Sequence, residues 1–469
     1  MALLSLDQLL AALRRHPGAS ASELAAALGV SAPTVQRLLR AAGPSVVSLG
    51  RARRTRHAAR RGLRGAAADV PLYRITPQGQ AEAFGSLALL APEGCAMPLA
   101  GSGWPVPEEA RDGWWPGLPY PLQDMRPQGF MGRQLAHAVH EALQLPDDPR
   151  AWSDDEVLVA LSAAGGDMVG DLILGERPLR QWQAARLDAP EPLAEAGLPG
   201  AYLRLAEQAL AGALAGSSAA GEFPKFAALR AVPEPDQPGP AGAARTPHVL
   251  VKFAGADDTA AGQRWADLLL AEHLALQCLA AQGLPAARSR LLRAGGRSFL
   301  EVERFDRHGL WGRSPLVSLE TVNAAFLGLP QRAWPELAAP LAGMGVLADG
   351  VQAQIATLWW FGRLIGNSDM HLGNLSLRPA DGRLTLAPAY DMLPMRYAPL
   401  GGGGLAPLAL LEPPLPLPAE RAPWRAAAAA ALRFWELLAQ DERASAAIQA
   451  QATRNGQRLG TARSLLGPA

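Results

Sequence analysis

The chain has 469 residues, 49% of them hydrophobic and 19% charged, enough to bury a large core in two or three globular domains. Its formal charge is +1, and its two cysteines, Cys95 and Cys278, form no CxxC pair, which excludes a disulfide framework, suggests no zinc site and suits a reducing compartment. The opening MALLSLDQLL lacks a basic stretch leading into an apolar run, and no segment runs about 18 residues without a charge or a proline, so the expectation is a soluble, cytoplasmic protein.

The small net charge conceals an asymmetry. Residues 1–64 hold 11 arginines and no lysine against Asp7 and Glu23, a net of +9, while the remainder carries 33 basic against 41 acidic residues, a net of −8. A polyanion partner for the N-terminal piece follows. SLDQLLAALRR (5–15) has helical apolar spacing behind a Ser5 cap, and HPG stops it. ASELAAALGVSAPTVQRLLRAAG (21–43) reads as a helix, a tight turn at Gly29 and a second helix, with Ala25, Leu28, Val30, Val35, Leu38 and Leu39 forming a shared apolar face. The pattern resembles a winged helix-turn-helix, with Ser31, Thr34, Gln36, Arg37 and Arg40 on or near the face that would enter a major groove of double-stranded DNA. SVVSLG and PLYRITPQG read as strands. Between them RARRTRHAARRGLR (51–64) packs seven arginines and His57 into fourteen residues. As a wing, its Arg53, Arg54, Arg56, Arg60 and Arg61 would track phosphates with salt-dependent affinity.

From about 85 to 200 the chain holds GSGWPVPEEARDGWWPGLPYPLQD (101–124), whose tryptophans and prolines suggest a packed, irregular subdomain. PEPDQPGPAGAARTP (233–247) is a proline-rich connector. PHVLVKFAG follows, a β-rich run in which Lys252 takes the place of the strand lysine that pairs ATP phosphates in a kinase. Glu272, in the amphipathic RWADLLLAEHLALQCLAAQ (264–282), is positioned to orient that lysine. RSFLEVERFDR (297–307) reads as an edge strand entering an interlobe connection, where backbone groups near Glu303 and Phe305 would bond an adenine.

After the apolar TLWWFGRLIG comes NSDMHLGN (367–374), two amides, a carboxylate and an imidazole close to one another. Asp369 and Asn374 have the D-x-x-x-x-N spacing of a phosphotransferase catalytic loop, in which the aspartate takes the acceptor hydroxyl proton and the asparagine holds Mg2+. Asp391, in LAPAYDMLP, supplies a second carboxylate, and magnesium needs few protein oxygens because water and phosphate complete its octahedron. His371 reads as a brace for the loop rather than a metal ligand. The GGGG at 401–404 follows no strand and opens no helix, which makes it a loop rather than a phosphate cradle.

From about residue 150 to 440, NSDMHLGN, LAPAYDMLP and VERFDR together resemble the HipA-type toxin kinases, bacterial serine/threonine kinases of toxin–antitoxin modules. The resemblance lays the family's phosphate loop on SAAGEFPK (218–225), with Ser218 and Gly221 at the ATP phosphates, Ser218 as the autophosphorylated serine, and Lys225 as the loop's lysine; EFP stands where the family has polar residues. A fused N-terminal winged helix is the arrangement of the YjjJ branch. The resemblance implies a protein substrate, with aminoacyl-tRNA synthetases as family targets, and an antitoxin partner or self-restraint.

The resulting expectation is an α+β chain: a winged helix-turn-helix over 1–84, a subdomain and kinase N-lobe over 85–310, and a helical kinase C-lobe over 311–469, with ATP and Mg2+ as cofactors. Two other readings use the same residues. One is a small-molecule phosphotransferase, and the other a DNA-binding regulator with an inactive kinase fold.

Overall fold

The computed structural model describes residues 5–64, 69–188, 190–211, 223–231, 246–255, 258–400 and 404–466, with Arg53 described by its backbone alone. Ser218, Gly221, most of the 233–247 connector and residues 401–403 lie outside the described residues. Three helices open the chain, α1 (Leu6–Arg15), α2 (Ala21–Leu28) and α3 (Ala32–Ala42). Ser5 and Ser20 each begin a helix with a reciprocal capping box, answered by Gln8 and Glu23, so donors left unpaired by the first turn find acceptors. Gly29 closes α2 at φ 64°, a left-handed conformation that costs a glycine little. Leu9, Leu13, Leu24, Val35 and Leu38 bury the shared face.

The wing departs from the sequence expectation. β1 (Val46–Leu49) pairs antiparallel with β2 (Arg56–Ala59), Val46 opposite Ala59, so the second wing strand is RHAA, inside the basic run. PLYRI instead forms β3 (Asp69–Ile75) within a five-stranded sheet ordered β6-β5-β4-β3-β7, with β4 (Ala81–Leu89), β5 (Cys95–Ala96), β6 (Trp114–Trp115) and β7 (Leu172–Leu174). The boundary expected at 84 therefore falls inside β4. Burial accompanies the choice: Val47 and Ala58 of the wing pack against Ala88 and Ala96 of this sheet and against Leu90 just beyond β4.

The middle region adds α4 (Tyr120–Gln123), α5 (Gly129–Leu143), α6 (Asp154–Ala164), α7 (Glu176–Asp188) and α8 (Leu198–Leu210). A four-stranded antiparallel sheet follows in the order β10-β11-β9-β8, from β8 (Lys225–Leu229), β9 (His248–Phe253), β10 (Ser289–Ala294) and β11 (Arg297–Glu303), with α9 (Ala260–Ala281) behind it. β11 is thus an interior strand, not the edge expected: its two neighbours take up both rows of backbone groups, and Phe299 and Leu300 are fully buried.

The last part carries the hairpin β12 (Arg307–His308) and β13 (Gly312–Arg313), then β14 (Val317–Ser318) and α10 (Leu319–Phe326), α11 (Trp334–Gly343) and α12 (Val351–Ile365). β15 (Ser376–Ala380) and β16 (Arg383–Leu386) precede the helical pair α13 (Arg421–Gln440) and α14 (Ala446–Leu465). One apolar cluster runs from Leu72 and Trp104 in the middle region to Trp334, Trp424 and Phe434 at the far end; Tyr120 bridges it, edge-on to Trp104 at 5.4 Å and to Phe326 at 5.5 Å. No helix among the described residues is long and apolar enough to cross a membrane.

Candidate active site

The site lies between the four-stranded sheet and the helical lobe. Strand alternation decides which face of β9 enters it: Val249, Val251 and Phe253 join Phe226 and Phe299 in the sheet's own core, so Lys252 faces the cleft. Lys252 Nζ donates to both oxygens of Glu272 on α9, each at 2.7 Å, and also to Asp391 Oδ1. Burial alone would lower the pKa of Lys252, but Asp391 and Glu272 overcome it and hold the pKa raised; the group is a fixed cation. The opposite balance holds at Asp391, where burial works against ionisation and Lys252 and Lys225 win, keeping the carboxyl below its ordinary value. Glu272 goes the other way, with burial raising its pKa against the pull of Lys252. Lys225 lies directly across the β8–β9 ladder from Lys252 and is 4% exposed. Two like charges facing each other on a ladder are unfavourable, a cost that a polyanionic ligand would offset.

The catalytic loop hangs from α12. Leu358, Phe361, Leu364 and Ile365 anchor that helix in the core, and the thioether end of Met370 lies over Gly362, where a Cβ would stand. The loop is held by its own polar groups. Asn367 Oδ1 accepts from Asp369 N–H at 3.0 Å while Asn367 Nδ2 donates to Asp391 O at 3.2 Å. Asn374 Nδ2 donates to Asp369 O at 2.7 Å, which leaves Asn374 Oδ1 for a cation. His371 Nδ1 accepts from Gly373 N–H at 3.1 Å, the bracing role its position suggested. Tyr390 OH donates to Gly373 O at 2.7 Å and bonds Ser376 Oγ at 2.8 Å. Asp391 itself has φ 53°, a left-handed conformation costing a non-glycine residue on the order of 1 kcal/mol and characteristic of functional positions.

An inner cavity of about 160 Å³ reaches Leu250, Val302, Phe305 and Tyr390 and leads to an outer chamber of about 730 Å³ where Asp369 stands exposed. The structure thus brings Lys252, Glu272, Asn374, Asp391 and Asp369 together. Asn374 and Asp391 offer hard oxygen donors of the kind magnesium takes, an ion that draws its other ligands from phosphate and water. At the interlobe connection the inner cavity is lined by Phe305 and by Glu303. Glu303 N–H donates to Arg288 O at 2.8 Å and its carboxylate accepts from Arg230 at 2.9 Å, so both are in use. Phe305 N–H has no acceptor among the described residues, and its carbonyl accepts from Arg378.

Lys225, the loop lysine of the family resemblance, lines both cavities despite the EFP before it. Two features had escaped the sequence reading. Asp124, Arg126 and Gln128 of the middle region line the inner cavity; Asp124 accepts from Ser318 N–H, Ser318 Oγ (2.7 Å) and Thr321 Oγ1 (2.8 Å). Asn367 was visible in NSDMHLGN, yet nothing in that octapeptide discloses its second partner.

At the N-terminus, Gln36, Arg37 and Arg40 are exposed on α3, Thr34 is half-buried, and Arg51 and Arg54 are exposed at the wing. Three arginines expected on DNA are otherwise engaged. Arg61 makes a two-pronged bond to Asp155 at 2.6 and 2.7 Å and donates to Leu90 O at 2.8 Å, Arg60 pairs with Asp69 at 3.2 Å, and Arg56 pairs with Glu23 at 2.7 Å.

Comparison with known proteins agrees with this geometry. Family models match at residues 8–42 (winged helix-turn-helix DNA-binding), 66–183 (YjjJ-like toxin, middle domain) and 217–455 (HipA-like C-terminal domain). Toxin YjjJ of Escherichia coli strain K12 is 38% identical over 431 residues, covering 92% of each chain. The chain belongs to the YjjJ-like toxin family. The chain combines a winged helix, a YjjJ-like middle domain and a HipA-like C-terminal domain, which supports a kinase-type enzyme. The fold also matches a HipA chain from Shewanella oneidensis MR-1, solved with HipB and operator DNA, at TM-score 0.52 and 14% identity, covering 84% of this chain and 97% of that one.

Proposed function

We propose that this YjjJ-like chain is a serine/threonine protein kinase that transfers the γ-phosphoryl group of ATP to a protein hydroxyl. The observation that carries the reading is the cluster of Lys252, Glu272 and Asp391 facing Asn374 and Asp369 across one chamber. Lys252, kept cationic by its two carboxylates, holds the α and β phosphates. Asp369, exposed and braced through its backbone by Asn367 and Asn374, accepts the acceptor hydroxyl's proton. Asn374 Oδ1 and Asp391 would hold magnesium, which would supply neutralisation of the phosphate charge. The contact between Lys252 and Asp391 holds the two charges together, and phosphates at Lys252 would take Asp391's place on it. Catalysis is therefore mainly electrostatic positioning.

The N-terminal module is assigned to double-stranded DNA, read through Thr34, Gln36, Arg37 and Arg40, with Arg51 and Arg54 on phosphates. Support comes from the winged helix-turn-helix match and the +9 charge of the first 64 residues. The Shewanella relative was solved with HipB and operator DNA, so autoregulation, with or without a separate antitoxin, is the role this module is given. The acceptor class is a protein, of which an aminoacyl-tRNA synthetase is the family example, and Ser218 remains the proposed site of autophosphorylation.

The test is incorporation of labelled γ-phosphate with magnesium into the chain and into candidate proteins. Asp369→Asn and Asp391→Asn should each lower the rate on the order of a thousandfold, about 4 kcal/mol of transition-state stabilisation. Equal rates in wild type and Asp369→Asn would refute the kinase reading and leave a DNA-binding regulator.

A further inference from the structure

The inner cavity and the outer chamber share a wall of nine residues. Four of them, Lys225, Lys252, Glu272 and Asp391, form the charged cluster, and three, His371, Gly373 and Asn374, belong to the catalytic loop. Gln128 and Glu320 are the two that remain. Neither has been given a role, and they come from different parts of the chain: Gln128 precedes the first turn of α5 in the middle domain and makes no side-chain capping bond, while Glu320 lies in the first turn of α10. Both are exposed, and neither side chain has a hydrogen-bond or ion-pair partner among the described residues. Glu320 leans over the catalytic loop, its Oε2 3.5 Å from where a Cβ on Gly373 would sit. Their neighbour Asp124 is already saturated by Ser318 and Thr321.

The geometry points to Gln128 and Glu320 as a ribose clamp, an inference that rests on the chamber taking ATP. A nucleotide with its base against Leu250, Val302 and Tyr390 and its phosphates at Lys252 must place the sugar at the passage between the two spaces, where these two side chains stand. A ribose diol offers two donors and two acceptors. A carboxylate accepts from hydroxyls, and a primary amide both donates and accepts, so the pair matches the diol. Ribose hydroxyls bonded to a carboxylate gain more than neutral pairs do. The middle domain then forms part of the nucleotide site rather than a spacer between the DNA-binding module and the kinase.

Equilibrium binding of the magnesium complexes of ATP, 2′-deoxyATP and 3′-deoxyATP to the full chain tests this. Wild type should bind ATP on the order of tenfold tighter than at least one deoxy analogue. In Gln128→Ala and Glu320→Ala that ratio should collapse towards one, through weaker ATP binding with little change for the analogue. Both side chains are exposed, so the variants should fold as wild type does. Equal affinity of wild type for all three nucleotides, or variants that lose ATP and the deoxy analogues alike, would overturn the clamp while leaving the kinase reading intact. Failure of wild type to bind any of the three would overturn the kinase reading and the clamp with it.

Discussion

Asp171 is 3% exposed on the middle sheet, with Arg74 Nε 3.5 Å away. Burial pushes its carboxyl up from 3.8 to about 6, and Arg74 only partly offsets this. The folded chain therefore keeps a proton that the unfolded chain has released, so this group's contribution to stability is full below pH 3.8 and is lost as pH rises through about 6. Asp171→Asn should be the more stable protein at pH 7, by at most about 3 kcal/mol, with the advantage gone near pH 4. Urea midpoints at the two pH values decide it, and a variant no more stable at pH 7 would show that Arg74 already compensates the charge. Asn367 makes a different point at the same scale, because it joins the catalytic loop to the metal segment by one amide. Asn367→Ala should reduce phosphoryl transfer roughly 10- to 100-fold by displacing Asp369 and Asp391 relative to one another, with nucleotide affinity unchanged. An affinity that fell in step with the rate would instead mean a collapsed pocket.

Among the elements, the wing carries the clearest consequence of packing. Its inner face, Val47 and Ala58, rests on the middle sheet, and Arg60 and Arg61 are held by Asp69 and Asp155. On the proposed DNA reading, phosphate contact falls to the exposed wing arginines Arg51 and Arg54 while Arg37 and Arg40 face the groove, and the log–log salt dependence of DNA affinity should have a slope of roughly −2. Arg51→Ala with Arg54→Ala should reduce that slope by about 2. Arg61→Ala should leave it unaltered and lower the thermal midpoint of the N-terminal region instead, since it strips Asp155 and Leu90 O of their donor. A slope flattened by Arg61→Ala would return this arginine to the DNA surface.

At the scale of the whole molecule, the middle domain and the kinase sheet are clasped through charge. Arg304 and Arg307, each under 7% exposed, share Asp306 and reach Asp167 at 2.9 and 2.7 Å. Burial opposes ionisation of Asp167, and Arg304 and Arg307 more than reverse it, to about 2. Asp306 also accepts from Gly170 N–H at 3.1 Å, so the clasp closes on the backbone of the middle domain. Asp167→Ala would leave two buried guanidinium groups sharing one carboxylate, a loss of about 3 kcal/mol. Because the two regions also share an apolar core, the expected outcome is one cooperative unfolding transition at lower temperature by calorimetry. Separation into two transitions would show that the charges, and not Tyr120 and its neighbours, unite the parts.

By itself the sequence determined whatever depends on neighbours within a few residues. The Ser5 cap, the turn at Gly29, the D-x-x-x-x-N loop and the strand before Lys252 all belong to this class, because capping, backbone conformation and strand alternation act over one or two turns of chain. The meeting of Lys252 with Glu272, 20 residues on, was legible because a strand followed by a helix leaves few ways to pack. Tertiary structure alone decided the rest. Whether an arginine binds phosphate or Asp155, 94 residues away, depends on which carboxylates the fold delivers to it, and RARRTRHAARRGLR contains no trace of that choice. RHAA takes the wing and PLYRI the middle sheet because the wing's inner face packs on that sheet, a contact no local strand propensity discloses. Gln128 and Asp124 entered the wall of the inner cavity for the same reason: their place is set by a core that runs from Leu63 to Leu459, and no motif of eight residues can encode it.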